Sequence, residues 1–273
     1  MQPTQPVLIT DRFSEERAAL LGLLGGLGAD EWQRPTVCAG WSVKDIALHL
    51  LGDDLALLAR GRDGWSALSV GAEGLVAALN RWNEEWVAAT RRLSTSLLIE
   101  LLAFTGPAVG SFFATLDPFA IGGAVSWAGP EPQPVWLDTA REYTERWLHQ
   151  QQIRDATQAP PLTTPRLFAP VLATFVHALP FTYRNVEAGQ GAALNVTLRG
   201  AAGGDWCLLR TAEGWRLCAD SHAAPAAAIV LDQDLAWRLF TKGIAPPEAL
   251  RAARIEGDRG LALPFFGTVA IIA

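Results

Sequence analysis

Cysteine is scarce in this sequence of 273 residues. The three cysteines, Cys38, Cys207 and Cys218, are an odd number, and none of them belongs to a Cys-x-x-Cys pair. This excludes a disulfide framework and a zinc knuckle made of thiolates, and it is typical of a reducing compartment. Residues 1–10 also lack the basic start and the apolar core of a signal peptide. We therefore expect a cytoplasmic protein.

Basic residues and long apolar runs are scarce as well. There are 22 Lys and Arg against 28 Asp and Glu, which gives a net charge of −6. Such a chain is a poor candidate for binding a phosphate backbone, so we expect no nucleic-acid partner. A membrane-spanning helix needs about 18 or more consecutive apolar residues, and no such run occurs, so we expect no membrane segment. With 50% hydrophobic and 18% charged residues, the composition predicts a globular protein.

The first half of the chain has the periodicity of helices. From residue 11 to residue 157 the apolar residues recur at helical spacing. Ser42, with Asp45 three residues later, is typical of the start of a helix. A loop rich in Gly and Pro near residues 122–134 precedes a last long helix at Val135–Thr157. Four long helices and this loop predict a helical bundle.

The second half of the chain has a different pattern. After a linker-like stretch at residues 158–166, short alternating segments are separated by turns that contain Gly. Such a mixture of short strands and helices predicts an α+β domain. We therefore expect two domains, a helical bundle of residues 1–160 and a smaller α+β domain of residues 161–273.

Two residues of the last long helix suggest a metal site. Glu145 and His149 are four residues apart, so their side chains lie on one face of the helix, one turn apart. A carboxylate and an imidazole at this spacing can converge on one cation. The same spacing is also found in exposed, solvated Glu–His pairs, and the pair alone does not decide between the two.

His49 is the third candidate ligand. It lies at the edge of the apolar stripe of its helix, and Asp45 and Asp53 flank it one turn away on either side. Such a carboxylate can fix the tautomer of an imidazole that binds a metal. The alternative is a partly buried histidine that is bonded to a neighbour. Two imidazoles and one carboxylate from two helices would form a site with open positions, which is typical of catalytic zinc.

The other candidates are weaker. His177 falls in an apolar helix and is expected in the core, and His222 lies in a loop. Cys38 has no basic neighbour that would lower its pKa, so we do not expect it to be a nucleophile. The sequence contains no G-x-S-x-G, phosphate-loop or H-E-x-x-H motif. It therefore assigns no catalytic residue and no cofactor-binding residue beyond the metal ligands.

Three stretches of the chain resemble one family. PTVCAGWSVKDIALHLLGDD resembles the start of the second helix in the mycothiol-dependent maleylpyruvate isomerase group of DinB-like proteins, and His49 matches its histidine. EYTERWLHQQQIRDAT resembles the later Glu-x-x-x-His segment of this group, where Glu145 and His149 match the metal-binding pair. WRLFTKGIAPPEALRAARIEGDRGLALPFF is similar to the sterol-carrier-like domain that often follows. Two motifs in this order are more specific than either alone.

The resemblance implies both a fold and an activity. It implies a DinB-like four-helix bundle followed by a smaller sterol-carrier-like α+β domain. His49, Glu145 and His149 would bind a divalent metal, zinc first and nickel second, which holds a low-molecular-weight thiol such as mycothiol as a thiolate. The enzyme would then isomerise a small electrophile or transfer the thiol to it.

The substrate and two other functions stay open. Four arginines could receive the carboxylates of a substrate like maleylpyruvate, whereas the many tryptophans suit an apolar electrophile equally well; the arginines are Arg184, Arg199, Arg210 and Arg216. A hydrolase that uses metal-bound hydroxide would have the same ligands. A protein that binds an apolar ligand and carries a structural metal is the second alternative. The oligomeric state is not predicted.

Overall fold

The computed structural model describes residues 2–66, 70 and 74–272, which form helices early in the chain and a five-stranded sheet later. This confirms the prediction of a chain that mixes helices and sheet. In chain order the α-helices of the described residues are α1 (Phe13–Gly25), α2 (Val43–Leu57), α3 (Leu75–Thr90), α4 (Thr95–Ala114), α5 (Val135–Thr157), α6 (Pro165–Phe175), α7 (Leu179–Thr182), α8 (Gln233–Phe240), α9 (Pro246–Ala252) and α10 (Arg259–Ala262).

The chain forms two compact units. One consists of Ile9–Asp117 and Glu142–Leu162, and the other of residues 2–8, Pro118–Arg141 and Thr163–Ile272. Each unit is made of segments that are separate in sequence, because α5 passes from one unit to the other near residue 141. These units reflect contacts within the folded chain, and the division into domains at residue 160 stays a prediction.

The helical unit is built around α2. Ser42 caps this helix as predicted: its hydroxyl accepts from the Asp45 N–H, and the Asp45 carboxylate accepts from the Ser42 N–H. Helix α2 contacts α3 and α4, and α4 also contacts α1. The buried apolar residues between these helices include Leu20, Leu24, Ile46, Leu50, Val87, Leu98, Leu102 and Ile153.

Helices α2 and α3 approach each other closely at a glycine. A Cβ atom placed on Gly52 would lie 2.6 Å from the indole ring of Trp86. The same indole donates from Nε1 to the carbonyl of Leu48 over 2.7 Å. The close approach therefore needs a residue without a side chain at position 52.

Helix α4 departs from the expectation drawn from the sequence. Among the described residues it is the one helix that is long and apolar enough to cross a membrane, by length and composition alone. Its apolar residues form no uninterrupted run in the sequence, because Glu100, Thr105 and Ser111 lie between them. Leu102 and Val109 are buried, whereas Leu97 and Phe104 are exposed, and 28% of the apolar window of this helix is buried.

The second unit contains the sheet. The strands of the described residues are β1 (Ile121–Ala124), β2 (Pro132–Pro134), β3 (Ala193–Arg199), β4 (Gly204–Thr211), β5 (Gly214–Cys218), β6 (Ala227–Asp232) and β7 (Arg254–Gly257). Five of them form the sheet in the order β5-β4-β3-β6-β7, where β3 and β6 are parallel and the other neighbours antiparallel. The short strands β1 and β2 form a hairpin in the stretch that was predicted as a loop.

Two cysteines and a cluster of aromatic rings belong to the core of the sheet unit. Cys207 and Cys218 are partners in the β4–β5 register and are buried as free thiols. The ring of Phe240 packs edge-on against those of Phe175 and Phe265, with centroids 6.3 and 5.6 Å away. The short alternating segments that the sequence indicates after residue 166 form strands of this sheet.

Candidate functional site

Two histidines that are 100 residues apart in sequence meet inside the helical unit. The Nε2 atom of His49, on α2, lies 3.1 Å from the Nε2 atom of His149, on α5. The two rings are nearly perpendicular, at 85°, and both residues are buried. The two helices thus bring together the histidines that the sequence predicted to share a site.

A carboxylate accompanies each histidine, one helical turn away. The Glu145 Oε2 atom lies 3.7 Å from His149 Nε2, so the predicted Glu–His pair shares one face of α5. The Asp53 Oδ2 atom lies 3.2 Å from His49 Nε2. Asp53 therefore contacts the nitrogen that faces His149, whereas the sequence suggested a partner that would only fix the tautomer of His49.

Asp45, the other carboxylate near His49, is used elsewhere. It caps α2 through Ser42 and accepts from Nε of Arg91 over 2.9 Å. These bonds lower the pKa of Asp45, although its burial raises it. The suggestion that Asp45 orients His49 is therefore wrong, because the helix cap and Arg91 take up its oxygens.

The tautomer of His149 follows from its other nitrogen. His149 Nδ1 lies 2.8 Å from the side-chain oxygen of Gln152. An amide oxygen only accepts, so Nδ1 carries the proton and a neutral His149 has its lone pair on Nε2. Burial, and the nearby His49, lower the pKa of His149, and burial lowers the pKa of His49 to about 4. Both rings are neutral at pH 7.

Three atoms with lone pairs therefore lie close together: Nε2 of His49, Nε2 of His149 and Oδ2 of Asp53. A single proton cannot form good hydrogen bonds with all three. A neutral His49 has at most one proton on Nε2, which cannot serve both His149 Nε2 and the Asp53 carboxylate fully. Burial, and the charge of Glu142, raise the pKa of Asp53 to about 7, while Arg146 and His149 lower it. Neutral imidazoles and carboxylates in this arrangement fit a divalent cation.

The distances also suit such a cation. Two nitrogens bound to one tetrahedral zinc at 2.0–2.1 Å are about 3.3 Å apart, close to the 3.1 Å between His49 and His149. Within the described ranges, no three His, Cys, Asp or Glu side chains already stand in the arrangement of a metal site. The 3.7 Å between Glu145 and His149 is the longest of these separations. A full ligand set therefore requires side-chain movement.

A buried ionic network lies directly beside the site in sequence. The Asp54 carboxylate accepts from Arg17 on α1 at 2.7 Å, from Arg146 on α5 at 3.1 Å and from the Thr105 hydroxyl at 2.6 Å. Arg146 also bonds Glu142 over 2.8 Å. Asp54 follows Asp53, and Arg146 follows Glu145, so the network fixes α2 against α5 next to the candidate ligands. The sequence analysis missed it.

Cys38 and Trp41, in the segment that precedes α2, lie next to the candidate ligands. The ring of Trp41 lies 5.1 Å from that of His49 between centroids, and its Nε1 donates to Glu84. The thiol of Cys38 donates to the Gln152 oxygen that also bonds His149, over 3.3 Å. Burial raises the pKa of Cys38, in agreement with the expectation that it is not a nucleophile.

The weaker candidates other than Cys38 belong to the sheet unit. His177 packs edge-on against Trp136 at 5.2 Å, and burial lowers its pKa to about 4. His222 bonds the backbone through its Nδ1 atom, which accepts from Ala224 N–H. Of the four arginines, Arg184 stacks on the ring of Phe181 at 4.1 Å, and the others lie on β3, β4 and β5.

Comparisons with known proteins point in one direction. Residues 13–154 match the family described as the mycothiol maleylpyruvate isomerase N-terminal domain, and this match spans His49, Glu145 and His149. A crystal structure of the mycothiol-dependent maleylpyruvate isomerase has a TM-score of 0.53 and 12% identity, with 88% of this chain and 91% of that chain covered. A histidine-to-alanine mutant of that enzyme gives the same score and coverage at 11% identity. No curated protein sequence matches the chain.

Proposed function

Since the chain belongs to the mycothiol maleylpyruvate isomerase N-terminal domain family, we propose that it is a cytoplasmic enzyme that uses a low-molecular-weight thiol. The thiol attacks a small electrophile, which is either isomerised or retains the thiol. Mycothiol and maleylpyruvate are the first thiol and substrate to test, because similar solved structures are of an enzyme named for both. At this low identity, the similarity to those structures is evidence for the fold and not for the substrate.

We propose further that His49, Glu145 and His149 hold a divalent metal ion, Zn²⁺ first and Ni²⁺ second. The observation that carries this proposal is the 3.1 Å approach of two neutral imidazoles through Nε2, where the lone pair of His149 faces His49. Two such nitrogens repel each other unless a proton or a cation lies between them. Glu145 supplies an anionic oxygen one turn from His149.

The residues of this chain would hold and shield such a centre. Gln152 orients His149, and the Asp54–Arg146 pair keeps α2 against α5. Trp41 supplies an apolar wall beside His49. When bound, a divalent cation lowers the pKa of a thiol that binds to it, so the thiol is a thiolate at neutral pH. The thiol is then external, and the protein needs no activated cysteine of its own.

The isomerisation itself is chemistry of the thiol and the substrate. The thiolate adds to a conjugated carbon–carbon double bond, which becomes a single bond and rotates. Loss of the same thiolate restores the double bond in the other geometry, so no atom is gained or lost. Thiol transfer differs only in that the thiol stays on the product, with a proton or a leaving group completing the balance.

We also retain the proposed domain organisation. Residues 1–160 would correspond to a DinB-like bundle of four main helices, and residues 161–273 to a sterol-carrier-like α+β domain. The first assignment is supported by the extent of the family match, residues 13–154. The second is supported by the sheet and its helices in the second unit.

Thiol-dependent turnover tests this function. Purified protein, supplied with Zn²⁺, is assayed with maleylpyruvate and mycothiol, with and without thiol and chelator. We expect conversion only when thiol is present and the chelator absent, and loss of activity in His149→Ala but not in the control His222→Ala. Hydrolysis without thiol would instead support the metal-hydroxide alternative. Equal activity of both variants would refute the proposed site.

A further inference from the structure

The two helices present histidine–carboxylate pairs in opposite sequence order. On α2 the histidine comes first, His49 and then Asp53, whereas on α5 the carboxylate comes first, Glu145 and then His149. Each pair spans one helical turn, which places its two side chains on one face. The site therefore receives one imidazole and one carboxylate from each helix.

Asp53 is as close to the site as the second histidine. Its Oδ2 atom lies 3.2 Å from His49 Nε2, and His149 Nε2 lies 3.1 Å from the same nitrogen. Asp53 thus approaches the coordinating nitrogen of His49. A carboxylate that only orients a ligand histidine would instead bond the nitrogen that does not face the ion.

The neighbouring residue shows that this orientation is specific. Successive residues of a helix point about 100° apart. Asp54 is fully buried and bonds Arg17 and Arg146, whereas Asp53 contacts His49. The two adjacent carboxylates therefore serve different purposes, one in the buried network and one at the site.

We propose that Asp53 is a fourth protein ligand of this centre. This inference rests on the proposed metal site and adds a residue to it. Two carboxylates and two neutral imidazoles balance the charge of a divalent cation. Asp53 is also the most exposed of the four side chains, at 31% against 8% for His49, 20% for Glu145 and 11% for His149. A divalent cation held there could still take a thiol as a fifth ligand, since catalytic zinc sites expand to five ligands.

Substitution with Co²⁺ gives a readout that does not depend on activity. The visible absorption bands of Co²⁺ report the number and type of its ligands, and a competing chelator gives its Kd. In Asp53→Asn we expect the Kd for Co²⁺ to rise at least about tenfold, because even the loss of a residue that only supports a ligand has an effect of this size. We also expect the absorption bands to shift. The matched control is Asp63→Asn, an exposed carboxylate paired with Arg62.

The outcomes separate this inference from the proposed function. An unchanged Kd and spectrum in Asp53→Asn, with loss of binding in His149→Ala, would overturn the role of Asp53 and keep the metal site. Wild-type protein that binds no Co²⁺ would overturn both. If Asp53→Asn does not fold, Asp53→Ser, which also removes the carboxylate, is used instead, and a spectrum identical to that of the wild type with an unchanged Kd would overturn the inference.

Discussion

The Nδ1 atom of His149 lies 2.8 Å from the side-chain oxygen of Gln152, and this contact determines which nitrogen of His149 faces His49. With the proton held on Nδ1, the lone pair of Nε2 points at the second imidazole. One glutamine on the same helix thus leaves the Nε2 lone pair of His149 free to bind the proposed cation. The thiol of Cys38 donates to the same oxygen and helps to hold the amide in place.

Removal of this contact should weaken the site. In Gln152→Leu the His149 ring is free to rotate and to change tautomer, so we expect metal affinity to fall about 10–100-fold, as for other second contacts of ligand histidines. Gln152→Glu keeps an acceptor and should retain most of the affinity. Competition with a chelator measures both. Wild-type affinity in Gln152→Leu would show that the contact does not orient His149.

The buried network should contribute strongly to stability. In Arg146→Met the Asp54 carboxylate loses one of its two charged partners while it stays buried, which typically costs about 3–5 kcal/mol. Urea denaturation measures the change in the free energy of unfolding. Arg62→Met, which removes an exposed ion pair with Asp63, should cost no more than about 1 kcal/mol. Equal effects of the two substitutions would contradict the structural role of the network.

The contact at Gly52 gives a second stability prediction. In Gly52→Ala the new Cβ meets the Trp86 ring at 2.6 Å, and we expect a loss of about 1–3 kcal/mol from overpacking. Gly22→Ala, on α1, has no atom within 4 Å of the new Cβ and should gain about 0.5–1 kcal/mol from helix propensity. Thermal denaturation measures both changes. A stabilised Gly52→Ala variant would refute the close approach of α2 and α3.

His177 makes the sheet unit sensitive to acid. Burial lowers its pKa to about 4 in the folded state, below the value near 6.5 of an exposed histidine. The unfolded chain therefore binds more protons between pH 6.5 and 4, and folding stability falls as the pH decreases through this window. In His177→Gln we expect a shallower loss of stability, by up to about 1.4 kcal/mol per pH unit. His222→Gln is the control, and identical pH profiles of both variants would contradict this assignment.

Some parts of the fold could be predicted from the sequence because they depend on local spacing. The helix cap at Ser42 and the alternation in β3 are local patterns, and both are found. The hairpin of β1 and β2 is made of short segments rich in Gly and Pro, which have the composition of a loop. Whether such a short segment forms a strand depends on the segment with which it pairs, and the sequence does not show which segments pair.

In the candidate site, too, the features that depend on local spacing could be predicted and those that depend on contacts between distant residues could not. Helical spacing placed Glu145 on the face of His149, and His49 was a candidate both from its flanking carboxylates and from the family resemblance. The roles of Asp53 and Gln152 depend on side-chain rotamers and on which imidazole nitrogen faces the site, and a single sequence contains neither. Arg146 was missed because charged residues are normally exposed, and only its burial against Asp54 reveals its role.

The most direct test is the number of divalent ions bound per chain, measured by equilibrium dialysis against Zn²⁺ followed by elemental analysis. The wild-type protein should bind about one ion per chain, and His49→Ala and His149→Ala should each bind far less at the same free concentration, while circular dichroism shows that both remain folded. Binding of one ion by both folded variants, or by neither the variants nor the wild type, would contradict a metal centre shared by these two histidines.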